Sequence, residues 1–331
     1  MTRTSTLATV ELPGLDRPLS RLVLGTMTFG DTVDIDTARR MVDTALDAGI
    51  TSLDTANGYA AGRSEEIIGE ILHGRRDAAT IATKAGIYPG DAGDVPLLSA
   101  RGLRRSLEAS LRRLRTDHVD VYYLHQPDRS VPIEETVSAL REFVEEGKIR
   151  AVGVSNFSAW QIGDAFSACD AIGAPRPVLA QQLYNLVARR IEAEYEEFAR
   201  TKELATIVYN PLGGGLLTGR HSFTASPAHG RFGDSALATM YKDRYWNAET
   251  FAVVEALGGI AAEAGITLPE LSLRWLLSKP VVSAVLLGGS KPTQLEANIT
   301  AAQAGPLPDE VVAACDAAGL PLAGSMPGYN R

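Results

Sequence analysis

Residues 80–125 read TIATKAGIYPGDAGDVPLLSARGLRRSLEASLRRLRTDHVDVYYLH. Both ends, 80–84 and 119–125, are short apolar runs with strand character, and leucines recur at helical spacing over 100–114 between them. A buried strand, a crossover helix and a second strand form the unit of a parallel sheet. The same unit repeats on either side. Further strand-like runs lie at 21–24, 51–54, 151–155, 178–181, 205–209 and 282–286, making eight in all. Amphipathic helix patterns lie at 35–48, 64–72, 133–146, 158–172, 191–202, 268–277 and 292–301. Eight such units in 331 residues suit a closed (β/α)8 TIM barrel better than an open sheet.

Three stretches depart from that plan. Residues 6–19 read as an N-terminal β-hairpin turning at Pro13-Gly14 and plugging the lower end of the barrel. Residues 211–249, rich in Gly and aromatic side chains, make a long functional loop after strand 7. Residues 305–331 add a helix and a Pro/Gly-rich end, with 326–329 expected near the site. No linker or low-complexity tract divides the chain, so residues 1–331 are expected to form a single domain.

Composition narrows the function. The chain is 45% hydrophobic and 22% charged with a net charge of -8, which argues against a nucleic-acid or anionic-membrane partner. Arg101, Arg104, Arg105, Arg112, Arg113 and Arg115 cluster between leucines and read as one solvated helix face. Cys169 and Cys315 form neither a disulfide framework nor a metal site. No segment reads as a signal peptide or membrane span, so a cytoplasmic setting is expected, with the oligomeric state unassigned.

In a barrel of this kind the chemistry sits at the C-terminal ends of the strands. Asp54, Lys84 and His125 each end an apolar run, and Tyr59 follows Asp54 by five residues. Singly, Asp54 reads as an N-cap, His125 as a satisfied structural histidine and Tyr59 as a loop tyrosine. Together they make an acid: an ammonium at Lys84 would lower the Tyr59 pKa, Asp54 would hold the lysine protonated, and a neutral His125 would bond a substrate oxygen.

These segments resemble the aldo-keto reductases. Residues 24–30 (LGTMTFG), 53–59 (LDTANGY) with Ser64, Glu65 and Gly69, 81–84 (IATK), 120–125 (DVYYLH), 147–150 (GKIR) and 153–157 (GVSNF) are similar to that family's motifs, in family order. The resemblance implies NADPH-dependent reduction of an aldehyde or ketone, with NADH possible, by the catalytic set Asp54, Tyr59, Lys84 and His125. It implies that Ser155, Asn156 and Gln181 hold the nicotinamide carboxamide and that Tyr209 stacks on the ring. Gly25, Thr26, Met27 and Asp54 would also meet the cofactor. Asn210, Pro211, Leu212, Gly215, Gly219 and Arg220 would wrap the pyrophosphate, and Gly288, Ser290, Lys291, Gln294 and Asn298 the adenosine phosphate.

There are departures from the family pattern. No arginine stands between Gly288 and Asn298, so Lys291 is the only cation there; Ala297 replaces a frequent glutamate, and Asn210 a usual serine. No GxGxxG follows a strand, so a Rossmann site is not indicated, and no metal is implied. The small-molecule substrate is a carbonyl compound met by Met27, Tyr59, His125, Gln126 and Trp246. The polar and aromatic mix suits a sugar or other polyhydroxylated carbonyl, and a simple aldehyde is also open. A cofactor-sensing module like potassium-channel β subunits is the alternative function. A Schiff base at Lys84 is a third, against which the dinucleotide segments argue.

Overall fold

The computed structural model describes residues 7–225, 227–235 and 237–323. Eight parallel strands close into a barrel: β3 (Leu22–Gly25), β4 (Ser52–Asp54), β5 (Thr80–Ala85), β6 (Val119–Leu124), β7 (Ile149–Ser155), β8 (Leu179–Leu183), β9 (Ala205–Tyr209) and β10 (Ala284–Leu287). Neighbours pair in sequence order and β10 closes on β3. All eight strands expected from the sequence are present, and the fold is a (β/α)8 TIM barrel.

Ahead of the barrel, β1 (Thr9–Val10) and β2 (Leu19–Ser20) pair antiparallel. The hairpin turns through Gly14 at φ 85°, and a Cβ at that residue would lie 2.7 Å from the Arg150 carbonyl oxygen at the start of β7. Leu12 and Leu19 therefore enter the barrel's lower end. They pack with Val23, Ala82, Val121, Tyr123, Leu179, Ile207 and Ala284, the inward residues of the strands. This layer forms the dry floor of the site. Gly153 lacks a side chain for a reason of packing: a Cβ there would sit 2.5 Å from the Tyr123 ring.

The helices form the outer ring. α1 (Ile35–Asp47), α2 (Arg63–Ile71), α3 (Ala100–Leu114), α4 (Ile133–Glu145), α5 (Ala159–Ile172) and α6 (Tyr195–Thr201) follow successive strands. α3 shows the local logic. Ser99 caps it by accepting from the Gly102 N–H, and Leu103, Leu107, Leu111 and Leu114 bury one face. It stops at Arg115, whose φ of 54° is left-handed.

Beyond β9 the chain forms α7 (Ala238–Tyr245), α8 (Ala248–Glu263) and α9 (Leu268–Ser278), and beyond β10 it forms α10 (Pro292–Ala302) and α11 (Asp309–Gly319). The long loop after the seventh barrel strand is thus only partly irregular, since α7 lies within it. α8 was not among the expected helices: AETFAVVEALGGIAAE is apolar nearly all round, so no stripe marks it. The helix expected at 191–202 is split into a 3-10 turn (Arg190–Ala193) and α6, with Glu194 at φ -149° between them. That break lets the Tyr195 hydroxyl reach Thr206 at 2.9 Å. Residues 326–329 lie outside the described residues. No single helix among the described residues is long and apolar enough to cross a membrane.

The arginine cluster is not one solvated face. Arg104 bonds Glu142 of α4 and Glu146 just past its end, while Arg113 turns inward to Glu65 and Asp91. Arg112 and Arg115, with Arg76, line a hollow of about 650 Å³ beside the start of β6, away from the strand ends that carry the site.

Candidate active site

Strand register brings the four candidate residues together. Asp54 ends β4 opposite Gly25 on one side and Ala82 on the other; two residues after Ala82, Lys84 lies opposite Tyr123. His125 follows β6 directly, its N–H held by the Ala85 carbonyl at 2.8 Å. Tyr59 begins a short turn that leads into α2.

Lys84 is fully buried and all three of its protons are committed. It donates to Asp54 Oδ1, to the Thr55 carbonyl at 2.6 Å and to the Tyr59 hydroxyl oxygen at 3.5 Å. Because Tyr59 accepts from Lys84, its own O–H is free to point elsewhere. Burial pushes the Lys84 ammonium down, but attraction to Asp54 and Tyr59 more than offsets this and raises its pKa overall. Burial pushes the Asp54 carboxyl up, and Lys84 and the Gln181 amide, 2.8 Å from Oδ2, pull it back only in part, so its pKa stays raised.

The Tyr59 phenol corrects a simple expectation. Lys84 does lower its pKa, but burial outweighs that pull and Asp54 adds to the rise, so the net direction is upward. The Asp54 carboxylate beside the same ammonium opposes its effect on the phenol. His125 stands edge-on to Tyr59 with ring centroids 6.0 Å apart. Burial, with repulsion from Lys84, lowers its pKa to about 3, so the ring is neutral near pH 7. Its Nδ1 has no hydrogen-bond partner among the described residues.

The segments around this group are tightly built. Asn156, left-handed at φ 60°, donates to the His125 carbonyl at 2.9 Å and accepts from the Tyr209 hydroxyl at 2.7 Å. Asn210, at φ 61°, accepts from the Gly214 N–H at 2.6 Å and donates to the Tyr245 hydroxyl at 2.9 Å. Gly213, Gly214, Gly215 and Gly219 are all left-handed, and a Cβ on Gly215 would lie 3.3 Å from Arg220 Nη2. At α10, the Ser290 N–H and hydroxyl both donate to Gln294 Oε1 at 3.2 Å. Thr28 donates to the Gly289 carbonyl at 2.9 Å and ties this segment to the end of β3.

Thr26 bonds the Asp54 carbonyl through both N–H and hydroxyl at 3.0 Å, and Met27 beside it is half-buried. Gln126 lines a cavity of about 500 Å³ with Pro127, Arg129, Asn156, Ser158, Trp160 and Gln161. Trp246 is half-buried in an aromatic cluster. It packs against Phe232 and Phe251 with centroids 5.1 and 4.9 Å away, and donates to the Phe223 carbonyl. Sequence reasoning missed the partners of the tetrad's supports: Asn57, Thr83, Asp91 and Arg113. A buried glutamate among Ile67, Ile68 and Ile71 was the available signal, because Glu65 demands a cation.

The comparisons with known proteins identify the family. The Aldo/keto reductase family matches residues 21–319. The chain belongs to that family. It is 35% identical to human "Aldo-keto reductase family 7 member A3" over 96% of this chain and 100% of the relative. It is likewise 35% identical to mouse "Aflatoxin B1 aldehyde reductase member 2", over 93% and 87%. A "Probable voltage-gated potassium channel subunit beta" of rice is 34% identical over 85% and 86%. Membership makes the chain an oxidoreductase of carbonyl chemistry, in a family that generally uses a nicotinamide dinucleotide.

Proposed function

We propose that the chain reduces an aldehyde or ketone to the alcohol with NADPH, with Tyr59 as proton donor. One observation carries this reading: Lys84 donates to the Tyr59 oxygen, so the phenolic proton is directed away from the lysine. Asp54 keeps Lys84 charged, and Gln181 fixes the second Asp54 oxygen. Neutral His125 offers an N–H to the substrate oxygen and steers it toward Tyr59. The same three spent protons argue against Lys84 as a Schiff-base nucleophile.

The residues fit a dinucleotide. When bound, it supplies hydride to the carbonyl carbon. Tyr209, braced by Asn156, presents a ring for stacking; the left-handed glycines with Arg220 offer backbone and charge to the pyrophosphate. Ser290, Lys291 and the N-terminus of α10 suit an added phosphate, which favours NADPH over NADH. Gln294 must then release Ser290.

The polar cavity by Gln126 and Asn156 supports a hydroxylated carbonyl compound, and the names of the mammalian relatives support an aldehyde. We place the protein in the cytoplasm, where its two buried thiols stay reduced. Parallel titration of Trp fluorescence with NADPH and NADH, followed by NADPH consumption with a panel of sugars and aldehydes, tests the assignment. Failure to bind either nucleotide overturns it. The second reading, a cofactor-sensing subunit, is favoured by the similarity to the rice protein. Nucleotide binding without turnover of any carbonyl would support it.

A further inference from the structure

The four candidate residues do not explain the charged cage around the backbone that carries Tyr59. Three successive residues after Tyr59 are left-handed: Ala60 at φ 47°, Ala61 at φ 52° and Gly62 at φ 94°. Two alanines in that region are strained, so the surroundings must hold them. Arg113 of α3 lies against this turn. A Cβ on Gly62 would be 2.8 Å from both Cδ and Nε of Arg113.

The same guanidinium ties both flanks of the turn. Its Nε donates to Glu65 Oε2 at 2.7 Å, and its Nη1 and Nη2 donate to the two Asp91 oxygens at 2.9 and 2.7 Å. Asp91 also accepts from Asn57 Nδ2 at 3.0 Å, two residues before Tyr59. The other Glu65 oxygen accepts from Thr83, the residue before Lys84. Glu65 is fully buried, and the Arg113 and Asp91 side chains are 16% and 10% exposed. Gly69 makes the reach possible, since a Cβ there would lie 2.3 Å from the Arg113 carbonyl oxygen.

We propose that Arg113 is a positioning residue for the carbonyl reduction: acting through Glu65, Asp91 and Asn57, it holds the left-handed turn that sets the distance between the Tyr59 hydroxyl and the Lys84 ammonium. The proposal rests on Tyr59 as proton donor. Arg113 bonds none of the four candidate residues and does not line the cavity by Gln126. Tyr59 faces Asp54 from β4, Lys84 from β5, Tyr123 from β6, His125 just after β6, Tyr209 from β9 and Tyr241 from α7. Of these groups only Lys84 is cationic. A relaxed turn draws the hydroxyl from the one charge that favours its phenolate, making Tyr59 a weaker acid.

The test uses 4-nitrobenzaldehyde and NADPH with wild type, Arg113→Met and Arg113→Lys. Arg113→Met is expected to lower kcat by about 30-fold and to move its basic limb up by about one pH unit. NADPH affinity, read from Trp fluorescence, stays within about twofold. Arg113→Lys falls between, because one ammonium nitrogen keeps the charge but cannot reproduce the planar fork that bonds both Asp91 oxygens and reaches Glu65 as well. Adding Ala60→Gly and Ala61→Gly to Arg113→Met recovers about tenfold in kcat, since glycine adopts the turn freely. Should Arg113→Met fail to fold, Asn57→Ala keeps the Arg113–Glu65 pair and gives the same shift at smaller size. Lowered melting temperature with an unmoved pH profile, or no rescue by the glycines, overturns the proposal alone. Wild type that turns over no carbonyl overturns the reading of the site and this proposal together.

Discussion

Replacing Lys84 by Met isolates the energetics of the buried pair without reference to any substrate. The lysine is fully buried and serves three acceptors, of which Asp54 is the only formal charge. Lys84→Met leaves the carboxyl in a dry site with the Gln181 amide as its one side-chain donor. Breaking such a pair costs about 3–5 kcal/mol. The cost has a pH signature. Without the ammonium, burial holds the Asp54 carboxyl protonated in the folded state, whereas the unfolded carboxyl ionises above its ordinary value of 3.8. The folded state then binds the extra proton, so stability falls as pH rises, by about 1.4 kcal/mol per unit. Urea unfolding of wild type and Lys84→Met at pH 5, 6 and 7 measures this slope directly. Adding Asp54→Asn should abolish it. A Lys84→Met protein as stable as wild type at all three values would refute a desolvated ion pair at the heart of the site.

Tyr59→Phe should lower kcat by at least about 100-fold while leaving NADPH affinity within about twofold, checked by steady-state rates and Trp quenching. His125, with its pKa lowered to about 3, should give no limb near pH 6.5 in kcat/KM. Its unfolded form takes up a proton below 6.5 that the folded form refuses, so stability should fall with pH between 6.5 and about 3, and His125→Gln should remove that component. Gly153→Ala drives a Cβ to 2.5 Å from the Tyr123 ring and should cost about 1–3 kcal/mol by chemical denaturation.

What could be read in the sequence follows from what has a local period. All eight barrel strands were legible because each is a short apolar run bounded by turns, and Asp54, Lys84 and His125 stood out as polar ends to those runs. α8 was illegible because its apolar residues encircle it. The left-handed turn at Ala60–Ala61 has no sequence signature, since it lacks the Gly, Asn or Asp that ordinarily marks this conformation. Arg113 looked like surface because its partners stand 48 and 22 residues away in sequence. Only the close docking of α2 on α3 at Gly69 turns it inward. The aromatic neighbours of Trp246, Phe232 and Phe251, are brought to it by the fold of the long connection, which no local period announces.

The N-terminal hairpin has a consequence for acidity. Leu12 and Leu19 stop water from rising through the barrel to the layer of Val121 and Tyr123, on which the Lys84 ammonium rests 5.6 Å from the Tyr123 ring. The strength of the Asp54–Lys84 attraction depends on that low-dielectric floor. A cork at one mouth of the barrel thereby sets the proton affinity of groups at the other, and a change confined to residues 7–20 would register first as altered acid–base behaviour rather than as lost binding.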